Sequence, residues 1–182
     1  SRSSLRNSVS SATSVLSFVL AIAGSATLSH AQVAVKAKTI HTMAGGGRSM
    51  AAQHSQSLEA WFCHVPGLKV VMPSGAYEAK GLMIAAVRDD NPVIVVNQKA
   101  LLGASAPVPE DLYEIPLGVA NIVRPGSNFT IVALGAMVPE ALKAAETLAE
   151  DGLDVEVIDP RTLQPFDTGT VVASVRKTHR AL

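Results

Sequence analysis

The side chain best suited to acid–base chemistry is His54, which lies in the sequence AAQHSQ just past three consecutive glycines. Its sequence neighbours Gln53, Ser55 and Gln56 are polar, and a predicted strand ends shortly before it. Ligands of open α/β sheets bind beyond the carboxyl ends of the strands, where a neutral imidazole can donate, accept or shuttle a proton near pH 7. His54 is therefore a candidate catalytic residue, and the alternative is a surface or capping histidine.

A second group able to do chemistry is Asp89-Asp90-Asn91, at the end of a predicted helix. Carbonyl groups at a helix end lack intrahelical partners, and hard cations bind carbonyl and carboxylate oxygens. The sequence is compatible with a monovalent or divalent cation site, and a solvated turn is the more common alternative. The triple glycine could bind an anion through its amides, but its spacing matches neither GxGxxG nor the P-loop, which favours a plain turn.

The composition excludes several classes of protein. Lys and Arg number 15 and Asp and Glu number 15, so the basic excess typical of nucleic-acid binders is absent. Hydrophobic residues make up 48% and charged residues 16%, which excludes a disordered chain. The single cysteine, Cys63, excludes an internal disulfide and a cysteine-based zinc site. No apolar run reaches the roughly 20 residues that a membrane-spanning helix needs.

The elements that position these residues follow an α/β pattern. Aromatic residues are only 4%, so the core depends on Val, Ile, Leu and Ala, which is typical of strands covered on both faces. Strands are predicted over residues 33–42, 68–72, 92–96, 129–134 and 153–158. Helices are predicted over 56–64, after a Ser74 cap, from Pro139 to Gly152, and from 170–175 onward.

Two of these helices have predicted buried stripes, and one completes a crossover motif. The helix after Ser74 is expected to bury Ala79, Leu82, Met83, Ala86 and Val87. The helix after Pro139 is expected to bury Ala141, Leu142, Ala145, Leu148 and Ala149. Together with its flanking strands, the second helix predicts a right-handed βαβ crossover.

Two segments differ in composition from the rest of the chain. Residues 1–31 are rich in serine, contain two arginines and no acid, and include the apolar run VLSFVLAIAG before Ser29-His30-Ala31. This pattern resembles a secretory signal peptide, and an atypical extension is the alternative. Residues 103–118 contain three prolines and two glycines, a composition typical of a linker, and we predict a domain boundary there.

Long stretches of the chain resemble one known family. They are AAQHSQSLEAWFCHVPGLKVVMPS, AKGLMIAAVRDDNPVIVV, VPEDLYEIPLG, FTIVALGAMVPEALKAAETLAEDGLDVEVIDPRTLQPFD and SVRKTHRAL. They are similar to the beta subunit of the thiamine-diphosphate-dependent component of 2-oxo-acid dehydrogenase complexes, which include pyruvate, branched-chain and acetoin-type enzymes. The resemblance runs from about residue 32 to 182 in order and with the expected spacing.

This resemblance implies an α/β fold with a three-layer, parallel-sheet architecture. Residues 32–102 would form the C-terminal part of a transketolase-like pyrimidine-binding domain. Residues 119–182 would form the N-terminal part of a transketolase C-terminal domain, after the linker of 103–118. Residues 1–31 would be foreign to the family, as a frameshift or gene-model error would make them.

The resemblance also implies a function and its participants. The expected activity is oxidative decarboxylation of pyruvate or a similar 2-oxo acid, or acetoin cleavage, with acyl transfer to a lipoyl group of the acyltransferase component. The expected assembly is an alpha2-beta2 heterotetramer, without nucleic acid or membrane. Thiamine diphosphate with Mg would be held mainly by the alpha subunit and by beta residues upstream of this region.

Particular residues inherit roles through the same resemblance. The family's active-site histidine falls on His54, with hydrogen bonding and proton transfer in the lipoyl step as its expected role. A potassium site at the helix end and the following turn falls on Ala86, Asp89 and Asn91, with a further contributor from the preceding strand near Lys38. The family's activating glutamate lies upstream of the glycine loop and has no counterpart in residues 1–31, so we expect this chain to be inactive in isolation.

The sequence also departs from the family pattern at three positions, and alternatives to the location and the function stay open. His41 replaces the usual arginine, Asn97 a glutamate, and Pro160 a leucine. The family predicts a location in the bacterial cytoplasm or the mitochondrial matrix, with secretion as the alternative from residues 1–31. Two other functions stay open, namely an inactive or exported α/β fragment that only binds a partner, and another transketolase-superfamily enzyme such as a sugar-phosphate synthase.

Overall fold

The computed structural model of the 182-residue chain describes residues 39–44 and 54–182. Its strands are β1 (Thr39–Ala44), β2 (Lys69–Val71), β3 (Val93–Gln98), β4 (Asn121–Arg124), β5 (Phe129–Val132), β6 (Val155–Asp159) and β7 (Thr162–Gln164). Its helices are α1 (Glu59–Cys63), α2 (Ala76–Arg88), α3 (Met137–Glu150) and α4 (Thr168–Thr178), with a 3-10 turn at Lys99–Leu101. The serine-rich start, Lys38 and the triple glycine lie outside the described residues.

The first sheet has the strand order β1-β3-β2-β7. Its first three strands are parallel, and the register pairs Thr39 with Val93 and Ala44 with Gln98. The fourth strand, β7, comes from the second half of the chain and runs antiparallel to β2. This sheet therefore contains strands from both predicted domains.

Both faces of the first sheet are covered, which explains why its strands are continuous apolar runs. On one face Val71, Val93 and Val95 pack against Leu82 and Ala86 of α2. The residues that form the cluster on the other face are Val70, Met72, Ile94 and Val96, packed by Phe62, Cys63, Leu68, Leu134 and Leu163. Cys63 is thus a partly buried residue that packs against the core.

The second sheet has the order β4-β6-β5, with β5 and β6 parallel and β4 antiparallel to β6. Helix α3 packs on one face through Val138, Ala141 and Ala145, over β6 residues Val155 and Val157. The other face is polar where α4 packs on β5. There Thr130 Oγ1 lies 2.7 Å from Ser174 Oγ and 2.6 Å from Thr178 Oγ1.

The structure confirms the α/β fold and corrects several local predictions. Each sheet includes one antiparallel pair in addition to the predicted parallel ones. Ser74 does not cap α2; Gly75 occupies the N-cap position, and the Ser74 hydroxyl donates instead to the Asp159 carboxylate. Val87 is 57% exposed, because the buried face of α2 is rotated toward Gly81, Leu82, Ala85 and Ala86. Ala149 is likewise exposed.

Residues 103–118 contain no helix or strand, yet part of this segment is packed on α2. The Ile115 amide donates to the Gly81 carbonyl at 3.2 Å, and the Ile115 side chain is buried. A Cβ on Gly81 would lie 2.6 Å from Ile115, so the glycine permits this contact. The Tyr113 ring stacks on Tyr77 with centroids 4.5 Å apart. The prolines accordingly lie in a segment that is partly anchored to the helix.

The described residues include no helix of the length and apolarity that crossing a membrane requires.

A test of the packing uses Gly126, which is buried beside the start of β6. A Cβ at this position would lie 2.2 Å from the Val155 carbonyl carbon and 2.3 Å from the Glu156 amide nitrogen. Because these are backbone atoms, relief requires the strand to move. We expect Gly126→Ala to lower the free energy of unfolding by about 1–3 kcal/mol, the range for overpacking, measured by urea denaturation.

The matched control is Gly103→Ala. A Cβ at Gly103 meets no heavy atom within 4 Å. We expect this variant to match the parent or to exceed it slightly, because alanine restricts the unfolded chain more than glycine does. Equal stability of the two variants would contradict the close approach at Gly126.

Candidate functional site

His54 lies at the carboxyl edge of the first sheet. Strands β1 and β3 are parallel and paired to their last residues, Ala44 and Gln98, so both end at this edge. Lys99 follows β3 directly, and its Nζ lies 3.4 Å from His54 Nδ1 and 3.5 Å from the His54 carbonyl oxygen. The His54 side chain is exposed. The imidazole is thus placed where a group bound outside the sheet edge can reach it.

The second half of the chain contacts the same edge at Gln98, the last residue of β3. Gln98 Oε1 accepts a hydrogen bond from the Ala136 amide at 2.5 Å, just before α3 begins. A Cβ on Gly135 would lie 2.5 Å from Gln98 Oε1 and 3.1 Å from Met72 Sδ, and Gly135 has a φ of +51°. Only glycine meets both demands without strain. Gln98 and Gly135 carry no motif that would have identified them from sequence.

A buried polar cluster joins α2 to the segment after β6. Asp159 is fully buried, and its carboxylate accepts hydrogen bonds from the Ser74 hydroxyl and from the Arg161 amide at 2.9 Å. Burial raises the pKa of Asp159 above its ordinary value, against the opposing effect of these two donors. Arg161 Nη2 contacts Glu78 Oε1 at 3.0 Å, with both side chains largely buried. The cluster fixes the position of one half of the chain on the other.

The residues of the predicted potassium site lie at the end of α2 and in the turn that follows. Asp89 Oδ2 is 2.5 Å from Lys69 Nζ. Asp89 Oδ1 accepts hydrogen bonds from the Asn91 amide at 2.8 Å and from Asn91 Nδ2 at 3.0 Å. The Lys69 hydrogen bond is the main cause that lowers the pKa of Asp89. Both carboxylate oxygens are therefore engaged by groups of the protein, and Ala86 is buried in α2.

These observations bring together only some of the predicted site residues. Asp89 and Asn91 are in contact, whereas His54 belongs to a separate place at the carboxyl edge. Lys38 lies outside the described residues. Among residues 39–44 and 54–182, no group of three or more His, Cys, Asp and Glu side chains is arranged to hold a metal ion.

The sheet order, the helices on the sheets and the polar carboxyl edge define an α/β protein with a candidate site at that edge. Residues 12–104 match the transketolase pyrimidine-binding domain, and residues 118–182 match the transketolase C-terminal domain. The chain belongs to the transketolase pyrimidine-binding domain family, and its match continues into the C-terminal domain.

Named relatives agree with this family. The chain is 52% identical over 141 residues to the beta subunit of acetoin:2,6-dichlorophenolindophenol oxidoreductase from Cupriavidus necator, covering 78% of this chain and 42% of the relative. It is 52% identical over 136 residues to the pyruvate dehydrogenase E1 component subunit beta of Rickettsia felis, covering 75% and 42%. The chain thus spans less than half the length of these curated relatives.

A solved structure gives the same fold. It is a split-gene transketolase, described as an inactive beta4 tetramer, with a TM-score of 0.66 and 26% identity. The alignment covers 79% of this chain and 46% of that chain. The resemblance recognised in the sequence, and the transketolase fold it implied, are confirmed.

The Lys69–Asp89 contact predicts how stability depends on pH. The pKa of Asp89 is lower in the folded chain than in the unfolded chain, so the contact stabilises the fold at pH values above the unfolded pKa of about 3.9. This contribution is lost as the pH falls through the folded pKa. We expect Asp89→Asn to lower Tm by about 2–4 °C at pH 7, which corresponds to roughly 1 kcal/mol.

The same comparison at acidic pH is the decisive part of this test. The difference in Tm between the parent and Asp89→Asn should shrink progressively below about pH 4. Asp90→Asn, which alters the exposed neighbouring carboxylate, serves as the control and should leave the pH dependence unchanged. A constant Tm difference between Asp89→Asn and the parent from pH 7 to pH 3 would refute this role for the ion pair.

Proposed function

We propose that this chain is part of the beta subunit of a 2-oxo-acid dehydrogenase of the pyruvate or acetoin type. The observation that carries the proposal is the 52% identity to beta subunits of both types, over 141 and 136 residues. The exposed His54 at the carboxyl edge of the first sheet supports it, because an acyl-transfer step needs a proton donor or acceptor accessible to the partner's group.

In this proposal the chain's own residues supply positioning and proton transfer. Thiamine diphosphate, when bound, supplies the electron sink for decarboxylation. His54 donates or accepts a proton during acyl transfer to a lipoyl group. The contacts Gln98–Ala136, Ser74–Asp159 and Glu78–Arg161 hold the two halves of the chain so that this edge keeps its shape.

The proposed substrate is a 2-oxo acid such as pyruvate, with acetoin as the alternative. The two relatives named for these activities are equally identical to this chain, at 52% each. The shared residues therefore support the reaction class and favour neither substrate over the other.

The proposed assembly is an alpha2-beta2 heterotetramer that transfers its acyl group to a lipoyl-bearing acyltransferase. Relatives named as beta subunits, and a solved neighbour named as a tetramer, support a multi-subunit assembly. In this proposal magnesium binds with the cofactor, mainly through the alpha subunit and beta residues upstream of this region. Potassium at Ala86, Asp89 and Asn91 stays a prediction. Lys69 and Asn91 already engage the Asp89 oxygens, and no step depends on this ion.

The alternative function is an inactive chain that only binds a partner. The solved neighbour, described as an inactive tetramer of beta chains, is the observation that favours it. A chain of this kind would keep the fold and the interface while lacking turnover.

The test uses a chimaeric beta subunit. The 141 aligned residues of the Cupriavidus necator relative are replaced by those of this chain, and the product is combined with the matching alpha subunit and thiamine diphosphate. We expect decarboxylation and acyl transfer to lipoyl in the chimaera. His54→Ala in the chimaera should slow acyl transfer by about 100-fold or more, the usual contribution of a general acid or base.

The control for this test is His64→Ala, which removes an exposed histidine just after α1 and should leave acyl transfer unchanged. A folded chimaera without any turnover would favour the inactive alternative. Normal acyl transfer by His54→Ala would refute the role assigned to His54.

We propose a location in the bacterial cytoplasm or the mitochondrial matrix, where a lipoyl-bearing partner would be available. The motif Ser29-His30-Ala31 identifies the position at which an exported form would be cleaved. We expect mass spectrometry of the natural protein to show no mature terminus at Gln32. A terminus at Gln32 would instead establish export.

A further inference from the structure

We infer that Lys99 is a positioning residue for His54, and that it holds the imidazole in the tautomer with its proton on Nε2. This inference deepens the proposed function and rests on it for the importance of His54. The juxtaposition that supports it is the approach of one ammonium group to two acceptors of the same histidine. Lys99 Nζ lies 3.4 Å from the ring Nδ1 and 3.5 Å from the backbone oxygen of His54.

The chemistry of the two groups decides the tautomer. A lysine ammonium has three donors and no acceptor, so it can hydrogen-bond only to a ring nitrogen that carries a lone pair. Nδ1 must then be unprotonated, and the proton of the neutral ring is on Nε2. A proton on Nδ1 would point at the ammonium hydrogens and break the contact. The second contact, to the His54 carbonyl, fixes the backbone from which the ring extends.

Lys99 is well placed for this role because its own backbone is held. It follows the last residue of β3 and begins the 3-10 turn, where its carbonyl accepts from the Leu102 amide at 3.3 Å. The preceding residue, Gln98, pairs with Ala44 in the sheet and accepts from the Ala136 amide. Strand β3 and the start of α3 therefore fix the backbone position of Lys99.

The Lys99 contact determines which ring nitrogen of His54 can exchange a proton in the proposed reaction. With Nδ1 engaged by Lys99, the other ring nitrogen of the exposed His54, Nε2, is the atom that presents a proton to a bound group. His54 would then act first as a hydrogen-bond donor or general acid through Nε2, and would recover its proton at the same atom. The role resembles that of the hydrogen bonds to the second ring nitrogen that select the tautomer of other functional histidines.

The primary test is ring-nitrogen NMR on the full 182-residue chain labelled with 15N. The His54 signals are identified by their loss in His54→Gln. We expect the parent to show an unprotonated Nδ1 and a protonated Nε2. In Lys99→Met the two nitrogen shifts should move toward each other, because both tautomers become populated. Lys99→Arg should retain the parent pattern, since a guanidinium donates in the same way.

Two further measurements keep the test decisive. Thermal melts establish that the variants fold. If Lys99→Met does not fold, Lys99→Ala is used in its place. In the chimaeric subunit we expect Lys99→Met to slow acyl transfer about tenfold or more with KM for the 2-oxo acid unchanged, and Lys99→Arg to restore most of the rate. The control is Lys143→Met, which removes an exposed lysine on α3 and should change neither measurement.

The outcomes separate the inference from the proposed function. An unchanged His54 nitrogen pattern in folded Lys99→Met or Lys99→Ala would overturn the inference, whatever the activity. A changed pattern together with normal acyl transfer in His54→Ala would support Lys99 as the tautomer-determining residue and overturn the catalytic role of His54. A changed pattern with slowed transfer, rescued by Lys99→Arg, would support both.

Discussion

The pairing of β3 with a parallel strand on each side is the constraint on which the rest of the structure depends. Val93 to Val96 are buried, and the strand pairs with β1 along its full length and with β2 at its start. Since the strands are parallel, their ends coincide and form one carboxyl edge. That edge carries Lys99 and, through it, His54, while Gln98 ties it to the residues before α3.

The two halves of the chain are joined by polar contacts as well as by a shared sheet. Strand β7 of the second half pairs with β2, and beside it Asp159 and Arg161 bind partners on or just before α2. Burying charged groups is costly, and the cost is offset only when each has hydrogen-bonding partners in good geometry. Such contacts fix a relative placement more strictly than apolar packing does, because a small displacement leaves a buried charge without its partner.

Much of the fold follows from local patterns. The run Val93–Val96 is apolar throughout because its strand is buried on both faces, whereas β6 also buries Glu156. The positions of the helices follow from periodicity and from Gly152, whose φ is +78°. Errors occurred where a tertiary partner competed with a local one. Ser74 has the side chain of a helix cap, but the buried Asp159 carboxylate, 85 residues away in sequence, is the acceptor of its hydroxyl. Val87 fits the helical stripe, yet the buried face of α2 includes Gly81, which Ile115 contacts, and leaves Val87 exposed.

The sequence alone indicates an α/β protein, its family and a candidate catalytic histidine. The hydrophobic period, the turn residues and the long ordered motifs are local properties, so they can be read without the tertiary structure. Folding alone decided which residues surround that histidine. Lys99 is 45 positions from His54 and Ala136 is 38 positions from Gln98, and these spacings predict neither contact. Parallel pairing and docking of the two halves bring such distant residues together, since hydrogen bonds between side chains depend on separation in space and not on order along the chain.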